Sequence, residues 1–179
     1  MRMLTRFWSH LRVLARAKRN RTDLLRWLGR RPQLLAAVSA YEFALLAANR
    51  TPSHYKQLAS AKAAALVNCE FCLDIGSALS LADGIDERKL LDLPRYRDSD
   101  AYDAVERLVI EFAEEMSKTP ALVRAELRER LLGHFTRGQL AEIAAEVAWE
   151  HQRARLNQAL GVRPAGFTDG AVCLMPERP

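Results

Sequence analysis

The chain has 179 residues, 49% hydrophobic, 27% charged and 7% aromatic, with a mean hydropathy of −0.18. This is the composition of one ordinary soluble domain, and it excludes collagen-like, disordered and disulfide-scaffold chains. A formal charge of +5 points first to a nucleic-acid or membrane-surface partner, but the charge is unevenly placed. Residues 1–31 hold ten Lys or Arg against one acid, Asp23, a net of +9, while the rest of the chain, 17 bases against 21 acids, is net −4. Basicity is therefore a property of the N-terminus, which argues against nucleic acid as partner of the whole domain. No stretch reaches the roughly 18 apolar residues of a spanning helix, and the first residues lack the apolar run of a secretory signal. A cytoplasmic protein is expected.

Almost every segment carries the helical period, and none alternates as a strand does. Leu4, Phe7, Trp8, Leu11 and Ala15 recur at helical spacing, so residues 2–17 read as a basic amphipathic helix. Residues 22–31 form a second stretch, and Pro32 opens a third, 33–49. Thr51, Pro52 and Ser53 punctuate the chain, with Ser53 as N-cap of a helix over 54–67. Another helix runs over 69–83 and stops at Asp83-Gly84. Residues 92–100 read as a loop, and helices follow over 100–118 and 121–132, broken by Thr119-Pro120, with Thr119 as cap and Pro120 as first helical residue of the second. Thr136 and Gln139 have capping-box spacing and open the last helix, which reaches about Leu160 before Gly161. The expected architecture is all-α. It divides into a basic N-terminal helix (1–21), a helical domain (22–165) and an irregular C-terminal tail (166–179).

The chemistry concentrates in Asn68-Cys69-Glu70-Phe71-Cys72-Leu73-Asp74-Ile75-Gly76. If a helix begins near Cys69, both sulfurs lie in its first turn, where free N–H groups and the helix dipole favour thiolate. A pair at i, i+3 also falls within the Cα separation that a disulfide tolerates, about 4.4–6.8 Å. Three readings stay open on these residues alone: a dithiol that cycles with its disulfide, two small buried hydrophobes, or half of a zinc site completed by Cys173, His54, His134 or His151. No second closely spaced ligand pair accompanies Cys69 and Cys72, so neither metal nor cofactor is expected.

The stretch from Tyr41 through Gly84, with the later run Ala148 to Gly161 (AWEHQRARLNQALG), resembles the carboxymuconolactone decarboxylase-like superfamily and its alkyl hydroperoxidase D-like redox branch. The resemblance covers about residues 25–165 and is most specific at Cys-x-x-Cys followed by a helix with small residues, Ser77-Ala78-Leu79-Ser80. It implies a compact bundle of several helices, assembly as a dimer, trimer or hexamer, and reduction of hydroperoxides by the two cysteines. An external thiol or lipoyl-type donor would then restore them. It implies Cys72 as the peroxide-reactive sulfur, Cys69 as the one that meets the reductant, and Cys173 as a bystander.

The full motif of that branch has Glu twelve residues before the first Cys and His four after the second, where this chain has Gln57 and Gly76. An amide hydrogen-bonds but does not titrate, and glycine does neither, so the proton relay must come from elsewhere. The last helix offers Glu150, His151 and Arg155 with Asn157, where its apolar stripe of Leu140, Ile143, Ala144, Val147 and Ala148 turns polar. These residues serve either the site or a structural network and subunit contact. Lys62, seven residues before Cys69, would depress a thiol pKa if it faced the sulfurs and is otherwise a surface lysine. Asp74 is expected to act as a first-turn helix acid rather than as a base.

The leading expectation is a thiol-dependent peroxidase or disulfide oxidoreductase acting on organic hydroperoxides. Its competitor is a catalytically silent helical oligomer, favoured by Gln57 and Gly76. The basic residues 1–31, with Phe7 and Trp8 on the helix's apolar edge, suit an anionic membrane surface, or packing on the domain or a neighbouring subunit.

Overall fold

A computed structural model describes residues 2–20, 22–168, 173, 174 and 177, with side chains from residue 8 onward. Among these residues the secondary structure is helical throughout. The helices are α1 (Arg2–Ala15), α2 (Asp23–Leu28), α3 (Pro32–Ala47), α4 (Ser53–Val67), α5 (Glu70–Ala82), α6 (Glu87–Asp92), α7 (Ala104–Ser117), α8 (Ala125–Leu132) and α9 (Arg137–Ala159). A short 3₁₀ turn, Leu93–Arg95, follows α6. No helix is long and apolar enough to cross a membrane among the described residues.

The central element is α4, which packs against α5, α7 and α9. Its alanines make this possible, because residues without long side chains let neighbouring helices approach on more than one side. Ala61, Ala64 and Ala65 join Leu58, Leu73, Leu90, Leu93 and Ile110 in one apolar cluster. Ala59 and Ala63 join Val109, Phe112, Leu127, Leu131, Ile143 and Val147 in another. A helix buried on both sides shows little apolar periodicity, so α4 is legible by helix propensity rather than by pattern.

Several boundaries differ from the sequence reading. The helix expected over 121–132 begins at Ala125, after a cis Thr119–Pro120 bond, so Thr119 and Pro120 do not open it. At the start of α4, Pro52 holds the N-cap position and Ser53 is already helical, without a side-chain cap. Helix α6 was not expected. Its six residues are too few to display a helical period, although Asp86 caps it through the Arg88 N–H at 2.7 Å. Helix α7 starts at a capping box of Asp103 and Glu106 rather than at residue 100. The box expected at Thr136 and Gln139 is present.

The N-terminal helix buries a different face from the one its large apolar residues suggested. Trp8 is 60% exposed, whereas Val13 is 1% exposed and packs with Ala17, Ala78, Ala165 and Phe167. The side chains of Leu4 and Phe7, like those of Arg2 and Arg6, lie outside the described residues. Helix α1 packs on α5, and the segment after it is tied down as well. The Asn20 amide donates to the Pro164 carbonyl at 2.8 Å, and Arg163 pairs with Asp23 at 2.9 Å. Parts of the tail expected over 166–179 also lie outside the described residues, but its start is fixed by Asp74, as described below.

Candidate active site

Helix α4 ends at Asn68, whose φ of 57° and ψ of 46° are left-handed. Asn tolerates this conformation better than most residues because its short amide hydrogen-bonds locally. The reversal sets Cys69 as N-cap of α5, and its Sγ accepts the Cys72 N–H at 3.3 Å. Cys69 and Cys72 are joined as a disulfide with Cα atoms 5.2 Å apart. Both are buried, at 1% and 4% exposure. The Asn157 amide, on α9, lies 3.7 Å from the Cys72 sulfur and donates to it.

A cavity of about 500 Å³ opens beside Cys72, between α1, α3, α4, α5 and α9. Its walls are largely apolar: Leu11, Leu14, Leu45, Phe71, Ile75 and Leu156 are among them. Cys72 borders this space and Cys69 does not. Gln57 and Gly76 border it too, so the two positions where an acid and an imidazole were missed do face the site. The Gln57 amide donates to Asp83 at 3.2 Å, and Asp83 lies 3.6 Å from His10 Nε2.

The polar end of the cavity is built on Arg153. Its guanidinium pairs with Glu42 at 2.7 Å, Glu150 at 2.6 Å and Glu146 at 3.4 Å. Trp149 steadies Glu42 with an indole N–H bond of 2.8 Å while its ring stacks on Tyr41 at 4.0 Å. The other partner of Glu150 is the Ser60 hydroxyl, 3.1 Å from Oε2. Burial pushes the Glu150 carboxyl up, against the opposing pull of Arg153. Burial pulls the Arg153 guanidinium down, but Glu150, Glu42 and Glu146 outweigh it and hold its pKa above the usual value. Among the described residues, Glu150 Oε1, His10 Nε2 and Ser80 Oγ are buried without a hydrogen-bond partner. Each such group costs about 1–3 kcal/mol of desolvation.

Four of the expected supporting residues stand elsewhere. His151 and Arg155 face away from the cavity. The His151 ring bonds Ser117 Oγ at 2.9 Å and Arg155 at 2.8 Å, and burial holds its pKa below the usual value. A helix turns about 100° per residue, which carries His151 away from the face that holds Glu150. The buried positions instead follow 143, 147, 150, 154 and 157. The ammonium of Lys62 is held by Glu177 at 2.6 Å and Glu114 at 3.8 Å, 5.0 Å from the Tyr96 ring centroid. It is thus committed to the tail and α7. Asp74 is neither a dipole acid nor a base: it accepts the N–H groups of Ala165, Gly166, Phe167 and Thr168 and the Thr168 hydroxyl, at 2.7–3.2 Å. The residues that sequence reasoning missed, His10, Glu42, Glu146 and Arg153, come from three helices with no shared motif. The only cue was the run of charged residues at helical spacing, Glu146, Glu150 and Arg153. Among the described residues, no group of three His, Cys, Asp or Glu is arranged to hold a metal ion.

The model of the carboxymuconolactone decarboxylase family matches residues 32–115. An uncharacterized protein of Escherichia coli strain K12, YnjA, is 34% identical over 156 residues, which is 86% of this chain and 82% of that protein. The chain therefore belongs to the carboxymuconolactone decarboxylase family. Its fold is shared by the debrominase Bmp8, at a TM-score of 0.74 and 21% identity over 89% of this chain and 88% of that one. A protein of unknown function from Agrobacterium tumefaciens, provisionally placed among AhpD antioxidant-defence proteins, aligns with a TM-score of 0.70 at 20% identity, over 77% of this chain and 94% of that one.

Proposed function

We propose that the protein is a thiol-dependent reductase that turns an organic hydroperoxide into an alcohol through a Cys69/Cys72 dithiol–disulfide cycle. The observation that carries this reading is the vicinal pair at the start of α5, with Cys72 on a largely apolar cavity. In the cycle the Cys72 thiolate attacks the outer peroxide oxygen, the O–O bond breaks, and Cys72 becomes a sulfenic acid while the alkoxide takes a proton. The Cys69 thiol then attacks that sulfur, water leaves, and the disulfide forms. An external dithiol, of thiol or lipoyl type, returns two electrons and two protons. Cys72 is favoured as the attacking sulfur because it borders the cavity and Cys69 does not. The cycle needs a reducing compartment such as the cytoplasm.

The likeness to a debrominase solved with 2,3,4-tribromopyrrole adds a second electron acceptor, a halogenated aromatic ring, to which the same dithiol would deliver two electrons and a proton as halide leaves and the disulfide forms. We propose that the assembly is a homo-oligomer, a dimer, trimer or hexamer. This is supported by Trp8, Leu25, Trp27, Leu34 and Phe43, all more than half exposed on the first three helices. The test is consumption of cumene hydroperoxide with dithiothreitol or dihydrolipoamide. Wild type is expected to turn over, and Cys69→Ser and Cys72→Ser are expected to fall to background. Equal rates in all three proteins would leave a silent helical oligomer as the answer, the reading that Gln57 and Gly76 favour.

A further inference from the structure

The cavity beside Cys72 has two unlike ends. At one stand Cys72 on α5 and Asn157 on α9, whose amide reaches the sulfur at 3.7 Å. The other lies further along the same two helices. Glu150 precedes Asn157 by seven residues on α9, a rise of about 10 Å, and Ser80 follows Cys72 by eight on α5, about 12 Å. Among the described residues, Glu150 Oε1, Ser80 Oγ and His10 Nε2 are buried without a hydrogen-bond partner. All three residues line the cavity. His10 also stands at the end remote from the sulfur, 3.6 Å from Asp83 at the C-cap of α5. Buried polar groups are as a rule paired. Three exceptions on three helices around one space point to a polar group that enters it.

The charge at that end is unbalanced. Arg153 faces Glu42, Glu146 and Glu150, so even with Glu150 protonated, the form its burial favours, two carboxylates oppose one guanidinium. An anionic head meets this surplus as repulsion that water screens poorly. A donor, by contrast, completes Glu150 Oε1, which is 4% exposed as a residue and bonded only through Oε2, to the Ser60 hydroxyl and an Arg153 N–H.

We propose that the cavity binds an elongated amphipathic molecule whose hydrogen-bond-donating, non-anionic head, a hydroxyl or an ammonium, rests against Glu150 Oε1 and Ser80 Oγ while its apolar body extends about 10 Å to Cys72. This deepens the reading of the site as a reductase, and rests on it for the reducible group at the sulfur end; the head site stands on its own observations. The volume of about 500 Å³ suits a molecule of that size, and Leu11, Leu14, Leu45 and Ile75 supply apolar wall for its body. Selection by head group thus takes place two helical turns from the chemistry. Hydroperoxides that end in a carboxylate are turned away, and those that end in an alcohol or an amine are admitted.

The test is calorimetric titration of the full chain, in its disulfide form, with n-octylamine, n-octanol and octanoate, which share one chain and differ in the head. The amine and the alcohol are expected to bind about 10-fold more tightly than octanoate, and the tighter of the two names the head. Glu150→Leu is expected to erase that preference. If it does not melt cooperatively, Ser80→Ala and Glu42→Gln take its place, the first removing only a hydroxyl and the second a half-exposed charge, and each must narrow the preference. Octanoate binding as tightly as the other two, or an unaltered preference in the variants, overturns the head site. Absence of heat from all three probes leaves water as the partner of the three atoms and overturns it as well. In the reduced protein, n-octylamine is expected to slow alkylation of Cys72 by iodoacetamide about fivefold, read on the Cys72 peptide, and n-butylamine at equal occupancy is not; no protection by the longer probe overturns the span. Since none of these probes is reduced, a wild type inactive on hydroperoxides with the expected binding overturns the reductase reading and supports the head site.

Discussion

From outside the Cys-x-x-Cys run, the Asn157 amide hydrogen-bonds a reacting sulfur, at 3.7 Å from Cys72 Sγ. An N–H aimed at sulfur stabilises thiolate over thiol, so Asn157→Ala is expected to raise the Cys72 pKa. The contact is long, and the loss is worth about 1 kcal/mol, a roughly fivefold slower alkylation at a pH below the thiol pKa. An unchanged rate would show that the amide serves packing alone. Asp74 works at the same scale to a different end. Five hydrogen bonds converge on its carboxylate from residues 165–168, and Asp74→Ala leaves four backbone N–H groups without that acceptor. The expected loss is about 3 kcal/mol in urea unfolding, together with faster proteolytic cleavage beyond Arg163. Full retention of stability would place the anchoring of that segment in its apolar contacts instead.

At the scale of the element, two end signals were legible, while the caps of α4, α6, α7 and α8 and the buried faces were not. Thr136 with Gln139 announced α9, and Asp83-Gly84 announced the end of α5, where Gly84 adopts φ of 88°, because these signals are local and chemical. Thr136→Ala is expected to cost about 1 kcal/mol by thermal unfolding. Which face a helix buries is decided by its neighbours, and there the sequence misled in two places. On α1 the large residue Trp8 is mostly exposed while the smaller Val13 packs inward, as does Ala17 just beyond the helix. On α9 the buried seam runs through 143, 147, 150, 154 and 157, so the expected Glu150 and Asn157 border the cavity together with the unforeseen Arg153, while His151 and Arg155 do not. The geometry of the cysteine pair was legible, since the spacing and the helix start lie within four residues, whereas its chemistry stayed open on those residues alone. The charged cluster around Arg153 was not legible, because Glu42 reaches it from a helix more than a hundred positions earlier in the chain.

For the whole molecule, pH acts through carboxylates of opposite behaviour. Burial pushes Glu115 and Glu142 up, but hydrogen bonds from Arg124 and from Thr51 with Arg50 outweigh it and hold both below the ordinary 4.5. Their contribution to stability is complete above 4.5 and is lost as pH falls through their lower folded values. Glu150, pushed up by burial, runs the other way, and its contribution fades as pH rises through its folded value. The melting temperature is therefore expected to drop steeply below pH 4.5, and Glu115→Gln to flatten that drop; an unaltered slope would exclude Glu115 as a cause. Assembly is tested at this scale as well. Trp27, half exposed on α2, is expected to lie in a contact between copies, so Trp27→Lys should lower the sedimentation coefficient without shifting the melting curve of the subunit fold.

One helix meets most of these demands at once. Along α4, Gln57 reaches Asp83, Ser60 reaches Glu150 and Lys62 reaches Glu177, while Ala59 and Ala63 face one apolar cluster and Ala61 and Ala65 the other. It behaves as a keyed shaft, with every key cut to the same rotation. Adding one residue near Leu58 would turn everything beyond it by about 100° and throw Ser60, Lys62 and the alanine faces out of mesh together. A single tooth of α4 can be exchanged without disturbing the others, but its length between Ser53 and Asn68 is held fixed by all of its partners simultaneously.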